Sequence, residues 1–242
     1  MHALVTGASR GIGRATALQL ARDGADVAVH FHSRAAEAQA VADEIRQLGR
    51  EAFTLRTDLS DLSSIPGLAH EVASRWDTVD VLVHNGGSYP RKSFTEVTDF
   101  DFEEQLRLHV VGPAALTRHL LPLLQRSARG RIIFVSSRLA YDGSRWGSAY
   151  AAAKAAQLGL ARSMARELAP GITVNVVAPG SIDTSIIHGD SPEQRAERNR
   201  QIPLHRVGTA DEVAAAIAFL ASPGAGYITG ATIPVNGGLR MG

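Results

Sequence analysis

Tyr150 and Lys154 are the pair of side chains that points most directly to chemistry. The chain contains only two lysines and 4 tyrosines, and one of each lies in this alanine-rich, helix-favouring segment, four positions apart. Residues at this spacing share one helix face, so the phenol and the ammonium are expected side by side. A phenol has a pKa of about 10, and a neighbouring cation lowers that value toward neutrality. The pair therefore predicts a proton donor; the alternative is a half-buried tyrosine beside a solvated lysine.

Short apolar segments alternate with helical segments along the whole chain and must position this pair. Apolar, β-branched runs predict seven strands, at 2–6, 27–31, 52–56, 81–84, 131–137, 172–180 and 231–235. Helical spacing of apolar residues predicts helices at about 12–24, 35–48, 61–76, 99–126 and 150–168. The fourth of these helices is interrupted near Gly112-Pro113. The alternation predicts an α/β fold, a Rossmann-type doubly wound sheet of mostly parallel strands with helices on both faces.

Length and composition limit the class of protein. The chain has 242 residues, of which 45% are hydrophobic, so one domain spanning 1–242 is expected. The net charge of +1 gives no electrostatic reason to expect nucleic-acid binding, and the lack of cysteine excludes disulfide and thiolate chemistry. The apolar start is too short for a signal peptide, and there is no apolar run of about 18 residues that could span a membrane. A soluble cytoplasmic protein is expected.

Residues with binding chemistry follow the ends of several predicted strands. Gly7 follows the first, Asp58 the third, Asn85 the fourth, Ser137 the fifth and Pro179 the sixth. In open α/β sheets, ligands bind at the carboxyl ends of the strands. These side chains are therefore predicted to share one site.

Three glycines, Gly7, Gly11 and Gly13, lie between the first strand and the first helix. Glycine allows a sharp turn and a close approach to a pyrophosphate, and a helix N-terminus offers unpaired N–H groups. In this strand–turn–helix context, the glycines predict nucleotide binding.

Together these features resemble the short-chain dehydrogenase/reductase family over the whole chain. The matching motifs are Thr6-Gly7-x-x-x-Gly11-Ile12-Gly13, Asn85-x-Gly87, Ser137, Tyr150-x-x-x-Lys154 and Pro179-Gly180. The 3-oxoacyl-carrier-protein reductase branch and its near relatives are similar at Asp58-Leu59, Ile202-Pro203-Leu204 with Arg206 and Gly208, and Gly230 to Gly238. The resemblance implies hydride transfer between a nicotinamide cofactor and a carbonyl group.

The resemblance also implies catalytic roles. Tyr150 would donate the proton, Lys154 would also hold the nicotinamide ribose, and Ser137 would hydrogen-bond the carbonyl oxygen. Ser136 is a rival hydroxyl, although the family pattern places the active one second. His109 stands where most relatives carry an Asn that holds a water linking the lysine to solvent. His109 would serve that proton relay, either directly through its imidazole or by hydrogen-bonding a water. Alternatively, it would be a packing residue that leaves the relay to water.

The residues after the second strand bear on the choice of cofactor. Phe31 holds the position where an NAD enzyme usually needs a carboxylate. Ser33, Arg34 and Arg10 offer a hydroxyl and two guanidinium groups, which favours the 2′-phosphate of NADP(H). The alternative is that both arginines are solvated. By resemblance, the other cofactor-binding residues are Ser9, Ile12, Asp58, Leu59, Asn85, Gly86, Pro179, Gly180, Ile182 and Thr184.

Several of these positions have competing interpretations. Asp58 would meet the adenine amino group, or it would cap a helix. Asn85 and Gly86 would line the cofactor, or they would form a simple turn. His30 and His32 alternate on one strand, and two imidazoles without a third ligand are weak support for a metal site, so none is expected.

The sequence says less about the substrate and the oligomeric state than about the fold and the cofactor. The segment 181–208 is expected to be a substrate lid, and the pocket-shaping residues would be Ile186, Ile187, Tyr141, Trp146 and Arg138. A basic rim of Arg91, Lys92, Arg138 and Arg145 would suit a negatively charged substrate or an acidic carrier. The substrate would be a ketone, including carrier-protein or CoA thioesters, and the resemblance implies a homotetramer. The alternatives are an alcohol or sugar dehydrogenase and a non-catalytic nucleotide-binding regulator.

Overall fold

The computed structural model describes residues 1–184 and 191–241, which contain one seven-stranded parallel sheet. Its strands are β1 (His2–Val5), β2 (Asp26–Phe31), β3 (Ala52–Arg56), β4 (Val81–His84), β5 (Gly130–Val135), β6 (Ile172–Pro179) and β7 (Thr232–Val235). The strand order is β3-β2-β1-β4-β5-β6-β7, and every pairing is parallel. The predicted α/β fold class is therefore confirmed.

Helices cover both faces of the sheet. They are α1 (Gly11–Arg22), α2 (Ala35–Gln47), α3 (Ile65–Ala73), α4 (Asp99–Leu106), α5 (Gly112–Arg126), α6 (Leu139–Asp142), α7 (Ser148–Glu167), α8 (Pro192–Gln201) and α9 (Ala210–Ala221). Within the described part of the chain, no helix combines the length and hydropathy required of a membrane-spanning segment.

The helices differ from the predicted pattern at four places, one of which is the short, unpredicted α6. The break in the long helix is a π-helical turn at Arg107–Val111, just before the predicted Gly112-Pro113. Helix α9 was not predicted, although a capping box of Thr209 and Glu212 marks its start. Helix α8 was not predicted either, because its polar sequence buries no side chain and so has no apolar stripe.

Two apolar clusters lie on opposite faces of the sheet. Alternate strand residues such as Val5 and Val83 pack with α1, α2 and α9, while Leu4 and Leu82 pack with α3, α5 and α7. Strands that are buried on both faces consist of nearly continuous apolar residues, so these strands could be predicted from the sequence. The chain reverses its winding direction between β1 and β4, and such a switch point opens a crevice at the carboxyl ends of these strands.

Candidate active site

A cavity of about 940 Å³ lies at the carboxyl ends of the strands. Every candidate catalytic and cofactor-binding residue lines it: Gly7, Ser9, Arg10, Gly11, Ile12, Gly13, Ser33, Arg34, Asp58, Leu59, Asn85, Gly86, His109, Ser137, Tyr150, Lys154, Pro179, Gly180, Ile182 and Thr184. The shared location at strand ends therefore brings these residues together.

The glycine turn at the β1–α1 junction has no room for side chains. Gly7 has φ 63°, and a Cβ there would lie 2.7 Å from the Cα of Gly86. A Cβ at Gly13 would lie 2.2 Å from the carbonyl oxygen of Gly7. The turn is thus packed tightly against the β4 end, and only glycine satisfies both contacts.

The N-terminus of α1 is open toward the cavity. Neither a side-chain cap nor an acidic residue occupies its first turn. The backbone hydrogen bond from Arg14 N–H to the Arg10 carbonyl, at 3.2 Å, leaves the N–H groups of Gly11, Ile12 and Gly13 ahead of it. These donors and the positive end of the helix dipole fit a pyrophosphate group.

Thr6 and Asn85 hold the glycine turn in place. The Asn85 amide donates to the carbonyls of Thr6 and Gly7 at 2.9 and 3.1 Å. The Thr6 hydroxyl accepts the N–H groups of Asn85 and Gly86, each at 2.9 Å. Asn85 is therefore more than part of a simple turn, because its side chain ties the end of β4 to the end of β1.

His30 supports the same turn from the β2 side. Its Nδ1 accepts the Gly7 N–H at 3.2 Å, which leaves Nε2 to donate to the Thr57 carbonyl at 3.1 Å. The side chain is buried, whereas His32 is exposed and lies 3.8 Å from Asp58. Without a metal, His30 could have contacted the cofactor or been exposed at the surface; surface exposure is wrong, because its ring fills the space behind the glycine turn.

The end of the cavity that contains Arg34 and Asp58 is polar and exposed. Arg34 pairs with Glu37 on the first turn of α2 at 2.9 Å, so this guanidinium carries a carboxylate partner. The side chain of Asp58 accepts the N–H and hydroxyl of Ser60 at 2.9 and 2.7 Å. Helix α3 has Ser64 at its N-cap position, so the helix-cap interpretation of Asp58 is wrong.

Tyr150 and Lys154 lie on one face of α7, with the Lys154 nitrogen 5.6 Å from the centre of the Tyr150 ring. Lys154 is buried and donates to the Val135 carbonyl at 2.7 Å. Ser136 donates its hydroxyl to the Lys154 carbonyl at 2.9 Å, which ties α7 to β5. The Ser137 hydroxyl accepts the Leu139 N–H at 3.1 Å and keeps its own proton for another acceptor.

Burial governs the electrostatics of this pair. It raises the pKa of Tyr150 to about 12, which the Ser137 side chain partly offsets and Tyr89 reinforces. Burial also lowers the pKa of Lys154 to about 7. The expectation of a lowered Tyr150 pKa is therefore wrong in this structure, because desolvation disfavours both phenolate and ammonium. At neutral pH the phenol holds its proton and the lysine is close to half charged.

His109 lies on the π-helical turn and is packed on several sides. Its Nε2 donates to the Ser88 carbonyl at 3.1 Å, and its ring meets the Tyr150 ring edge-on at 5.4 Å. A Cβ at Gly87 would lie 2.2 Å from its ring. Burial, followed by the charge of Lys154, lowers the pKa of His109 well below its usual value. The imidazole is therefore neutral near pH 7, which favours packing over direct proton uptake.

Two side chains near Tyr150 were not predicted from the sequence. Tyr89 stacks at an angle on the Tyr150 ring, 4.7 Å between centroids, and Gln157 donates to the His109 carbonyl at 2.8 Å. Gln157 follows Lys154 by three residues on α7, so helical spacing could have indicated it. Tyr89 belongs to the loop after β4 and carries no local signal.

The expected lid and rim are only partly in the cavity wall. Ile182 pairs with Gly208 as a short parallel bridge near the two ends of the segment that was expected to be the lid. Ile186 and Ile187 lie outside the described residues. Tyr141 is absent from the cavity wall and packs under Arg240, 4.2 Å from the guanidinium carbon. Lys92 is also absent from it, because its ammonium pairs with Asp101 at 2.7 Å.

The buried histidines predict sensitivity to acid. Burial lowers the pKa of His30 to about 4 and that of His84 to about 3. In the unfolded chain, histidine binds a proton below about pH 6.5, so each contribution is intact above that pH and is lost as the pH falls toward the folded pKa. Each ring is expected to lower the free energy of unfolding by about 2 kcal/mol between pH 6.5 and 5.

Urea unfolding of the wild type and of His84→Asn at pH 7 and pH 5 checks this expectation. The His84 ring donates to Thr117 at 2.8 Å and stacks on Phe134, so an amide preserves one hydrogen bond. The variant's loss of stability on acidification should be about 2 kcal/mol smaller than that of the wild type. Equal losses would show that His84 is not held neutral by burial.

Comparisons with known proteins agree with this geometry. A family model described as Enoyl-(Acyl carrier protein) reductase matches residues 7–240. The chain is 40% identical over 240 residues to 3-oxoacyl-(acyl-carrier-protein) reductase FabG of Staphylococcus aureus, covering 99% of this chain and 98% of the relative.

Two solved structures are similar throughout. One is a short chain dehydrogenase from Burkholderia cenocepacia in complex with NADP, with TM-score 0.92 and 37% identity, covering 99% of this chain and 97% of that one. The other is a blue fluorescent protein from a metagenomic library in complex with NADPH, with TM-score 0.93 and 35% identity, covering 99% and 98%. The chain therefore belongs to the short-chain dehydrogenase/reductase family of oxidoreductases.

Proposed function

We propose that this protein is an NADPH-dependent reductase that converts a ketone, either a 3-oxoacyl thioester or a similar carbonyl compound, to an alcohol. Residues 1–242 would act as one dinucleotide-binding and catalytic domain. The observation that carries the proposal is that one cavity joins an open, glycine-lined helix N-terminus to a buried Tyr150–Lys154 pair. A dinucleotide spans such a cavity with its pyrophosphate at the first feature and its nicotinamide near the second.

The residues present fit NADP(H). At Gly7 and Gly13 the backbone segments are in direct contact and leave no space for a side chain. The N–H groups of α1 would hold the pyrophosphate. Arg10, Ser33 and Arg34 would hold the 2′-phosphate, and Asp58 would meet the adenine. Asn85, Gly86, Pro179, Gly180, Ile182 and Thr184 would line the rest. When bound, the reduced nicotinamide supplies the hydride for the carbonyl carbon.

Tyr150 would deliver the proton to the carbonyl oxygen. Its raised pKa keeps the phenol protonated at neutral pH, which is the form that reduction requires. Ser137 would donate a hydrogen bond to the same oxygen as negative charge develops there. Lys154, in its protonated form, would stabilise the phenolate left on Tyr150 and return a proton to it. His109 would hold the Tyr150 ring by edge-on packing.

The substrate class follows from the relatives. Proteins named as 3-oxoacyl-(acyl-carrier-protein) reductases share 40% of their residues with this chain over nearly its full length. We therefore propose a 3-oxoacyl thioester, carried by a carrier protein or by CoA, as the first substrate to test. A homotetramer is also proposed, since Tyr227 and Phe94 are exposed aromatic residues that subunit contacts would cover. Analytical ultracentrifugation giving only a monomer would reject the tetramer.

The experiment that tests the proposed function measures NADPH consumption with a panel of ketones that includes acetoacetyl thioesters. We expect turnover of at least one 3-oxo compound. Enhanced NADPH fluorescence without turnover of any ketone would instead support a nucleotide-binding regulator.

The cofactor assignment makes its own prediction. The wild type should prefer NADPH to NADH in kcat/KM, and Arg10→Gln with Arg34→Gln should reduce that preference by about 10- to 100-fold, because charge-assisted hydrogen bonds to the 2′-phosphate are lost. Arg22→Gln, at the far end of α1, is the control and should leave the preference unchanged. A wild-type preference for NADH would refute the assignment.

A further inference from the structure

Beyond the candidate catalytic and cofactor-binding residues, the cavity wall has an excess of positive charge. Four arginines and two carboxylates line it: Arg91, Arg138, Arg145, Arg198, Glu104 and Asp142. One of those carboxylates, Asp142, is already shared by Arg138 at 3.0 Å and by Arg240 at 3.3 Å. This part of the cavity wall is therefore cationic, although the whole chain is nearly neutral.

Of these four arginines, Arg91 and Arg145 have no carboxylate partner among residues 1–184 and 191–241, whereas Arg138 is paired with Asp142. Each lies over an aromatic ring instead. Arg91 is 5.6 Å from the centre of the Tyr89 ring, and Arg145 is 5.2 Å from that of Trp146. A ring supports the flat face of a guanidinium and leaves its N–H groups at the edge free to bind an anion in a bidentate way.

Two loops that carry these arginines are fastened together. The hydroxyls of Tyr89 and Ser144 are 2.7 Å apart, and the Lys92 N–H donates to the Trp146 carbonyl at 3.0 Å. A Cβ at Gly147 would lie 2.4 Å from the Tyr89 ring, so the loops are in close contact. Arg91 precedes Lys92 and Arg145 lies between Ser144 and Trp146, so both arginines are next to these bonds, and Tyr89 of the same loops contacts the Tyr150 ring.

We propose that Arg91 and Arg145 bind an anionic group of the substrate and thereby set its specificity. This proposal rests on the proposed reductase function and adds the substrate class: a 3-oxo compound with a carboxylate or phosphate beyond the reacting carbonyl. A carboxylate would belong to a small oxo acid, whereas a phosphate would belong to a CoA or carrier-protein thioester. A carboxylate is a planar oxyanion and a phosphate is a tetrahedral one. Guanidinium groups bind either of them through paired N–H donors.

Two matched pairs of substrates separate these sources. The monoethyl and diethyl esters of 3-oxoglutaric acid differ by one carboxylate. Acetoacetyl-CoA and acetoacetyl-N-acetylcysteamine differ by the phosphate-bearing part of the thioester. For each pair, the ratio of kcat/KM for the anionic over the neutral compound is measured with NADPH.

The wild type should prefer the anionic member of one pair at least tenfold, and the pair that shows the preference identifies the anion. Arg91→Gln with Arg145→Gln should lower that ratio by about 10- to 100-fold, while Arg145→Lys should retain part of it. Arg22→Gln should leave the ratio unchanged. No preference in either pair, or a ratio that the double variant leaves unaltered, would overturn the proposal.

A binding measurement keeps this inference separate from the proposed function. Isothermal titration with the 3-oxoglutarate monoester and with acetoacetyl-CoA, in the presence of NADP⁺, requires no turnover. A dissociation constant that rises at least about tenfold in the double variant supports the arginine site even if no ketone is reduced, in which case only the reductase proposal fails. If neutral ketones are reduced but the wild type and the double variant bind the anions equally well, the proposed reductase function stands and the arginine site is rejected.

Discussion

Replacing Tyr150 with phenylalanine is expected to lower kcat for ketone reduction by about 10³-fold, within the range that general acid catalysis contributes. The substitution removes only the hydroxyl. The ring keeps its contacts with Tyr89 and His109, whose centroids lie 4.7 and 5.4 Å away, so the cavity wall is retained. The dissociation constant for NADPH should therefore stay within about threefold of the wild type, measured by fluorescence titration.

Tyr89→Phe is the matched control for this variant. Tyr89 lies against the same ring, but its hydroxyl bonds to Ser144 at 2.7 Å, away from the reacting centre. Its removal should reduce kcat by less than about tenfold. If Tyr150→Phe kept a tenth or more of the wild-type kcat, another group would have to supply the proton, and the proposed role of Tyr150 would be lost.

Lys154→Met is expected to abolish turnover and yet stabilise the folded protein. Burial lowers the pKa of Lys154 from 10.5 to about 7, which corresponds to a penalty of about 4–5 kcal/mol for holding the charged form inside. Methionine removes that penalty but leaves the Val135 carbonyl without its donor, which costs about 1–3 kcal/mol. The net gain should be about 1–4 kcal/mol at pH 6.

The gain should depend on pH with a definite sign. The native Lys154 releases its proton above about pH 7, whereas the unfolded lysine keeps it up to about pH 10.5, so the wild type becomes more stable as the pH rises through this window. The advantage of the variant should shrink by about 2–3 kcal/mol between pH 6 and 9, as urea unfolding would measure.

The other lysine provides the control. Lys92 is exposed and pairs with the buried carboxylate of Asp101, so Lys92→Met removes an ion pair without relieving the burial of a lysine. It should destabilise the protein, with no comparable change between pH 6 and 9. If Lys154→Met showed the same flat behaviour, the lysine would be charged in the native state over the whole range, and its pKa would be close to the ordinary value.

Sequence patterns predicted the framework because they report local physics. Apolar, β-branched runs mark strands buried on both faces, and the glycines between β1 and α1 mark a turn without room for side chains. The spacing of Tyr150 and Lys154 is fixed by the helix itself. Since the carboxyl ends of parallel strands share one edge, the residues at those ends were predicted to meet, and they do.

What the sequence could not predict depends on burial and on partners distant along the chain. The predicted direction of the Tyr150 pKa shift was wrong, because burial raises the pKa, and the loop bearing Tyr89 and the π-helical turn bearing His109 pack against the ring only in the folded chain. The support that His30 gives to Gly7 crosses between two strands. The spacing of residues along the chain predicts neither the burial of a side chain nor a contact between distant strands.

The central claim is that NADPH delivers a hydride to a carbonyl carbon beside Tyr150 while the phenol gives up its proton. Single-turnover reduction of an acetoacetyl thioester with NADPH that carries deuterium on the transferred position of C4 tests it most directly. The wild type should place the deuterium on the carbinol carbon of the 3-hydroxy product, and Tyr150→Phe, saturated with both ligands, should form that product about 10³-fold more slowly. Product without deuterium at that carbon, or equal rates for the two proteins, would contradict the claim.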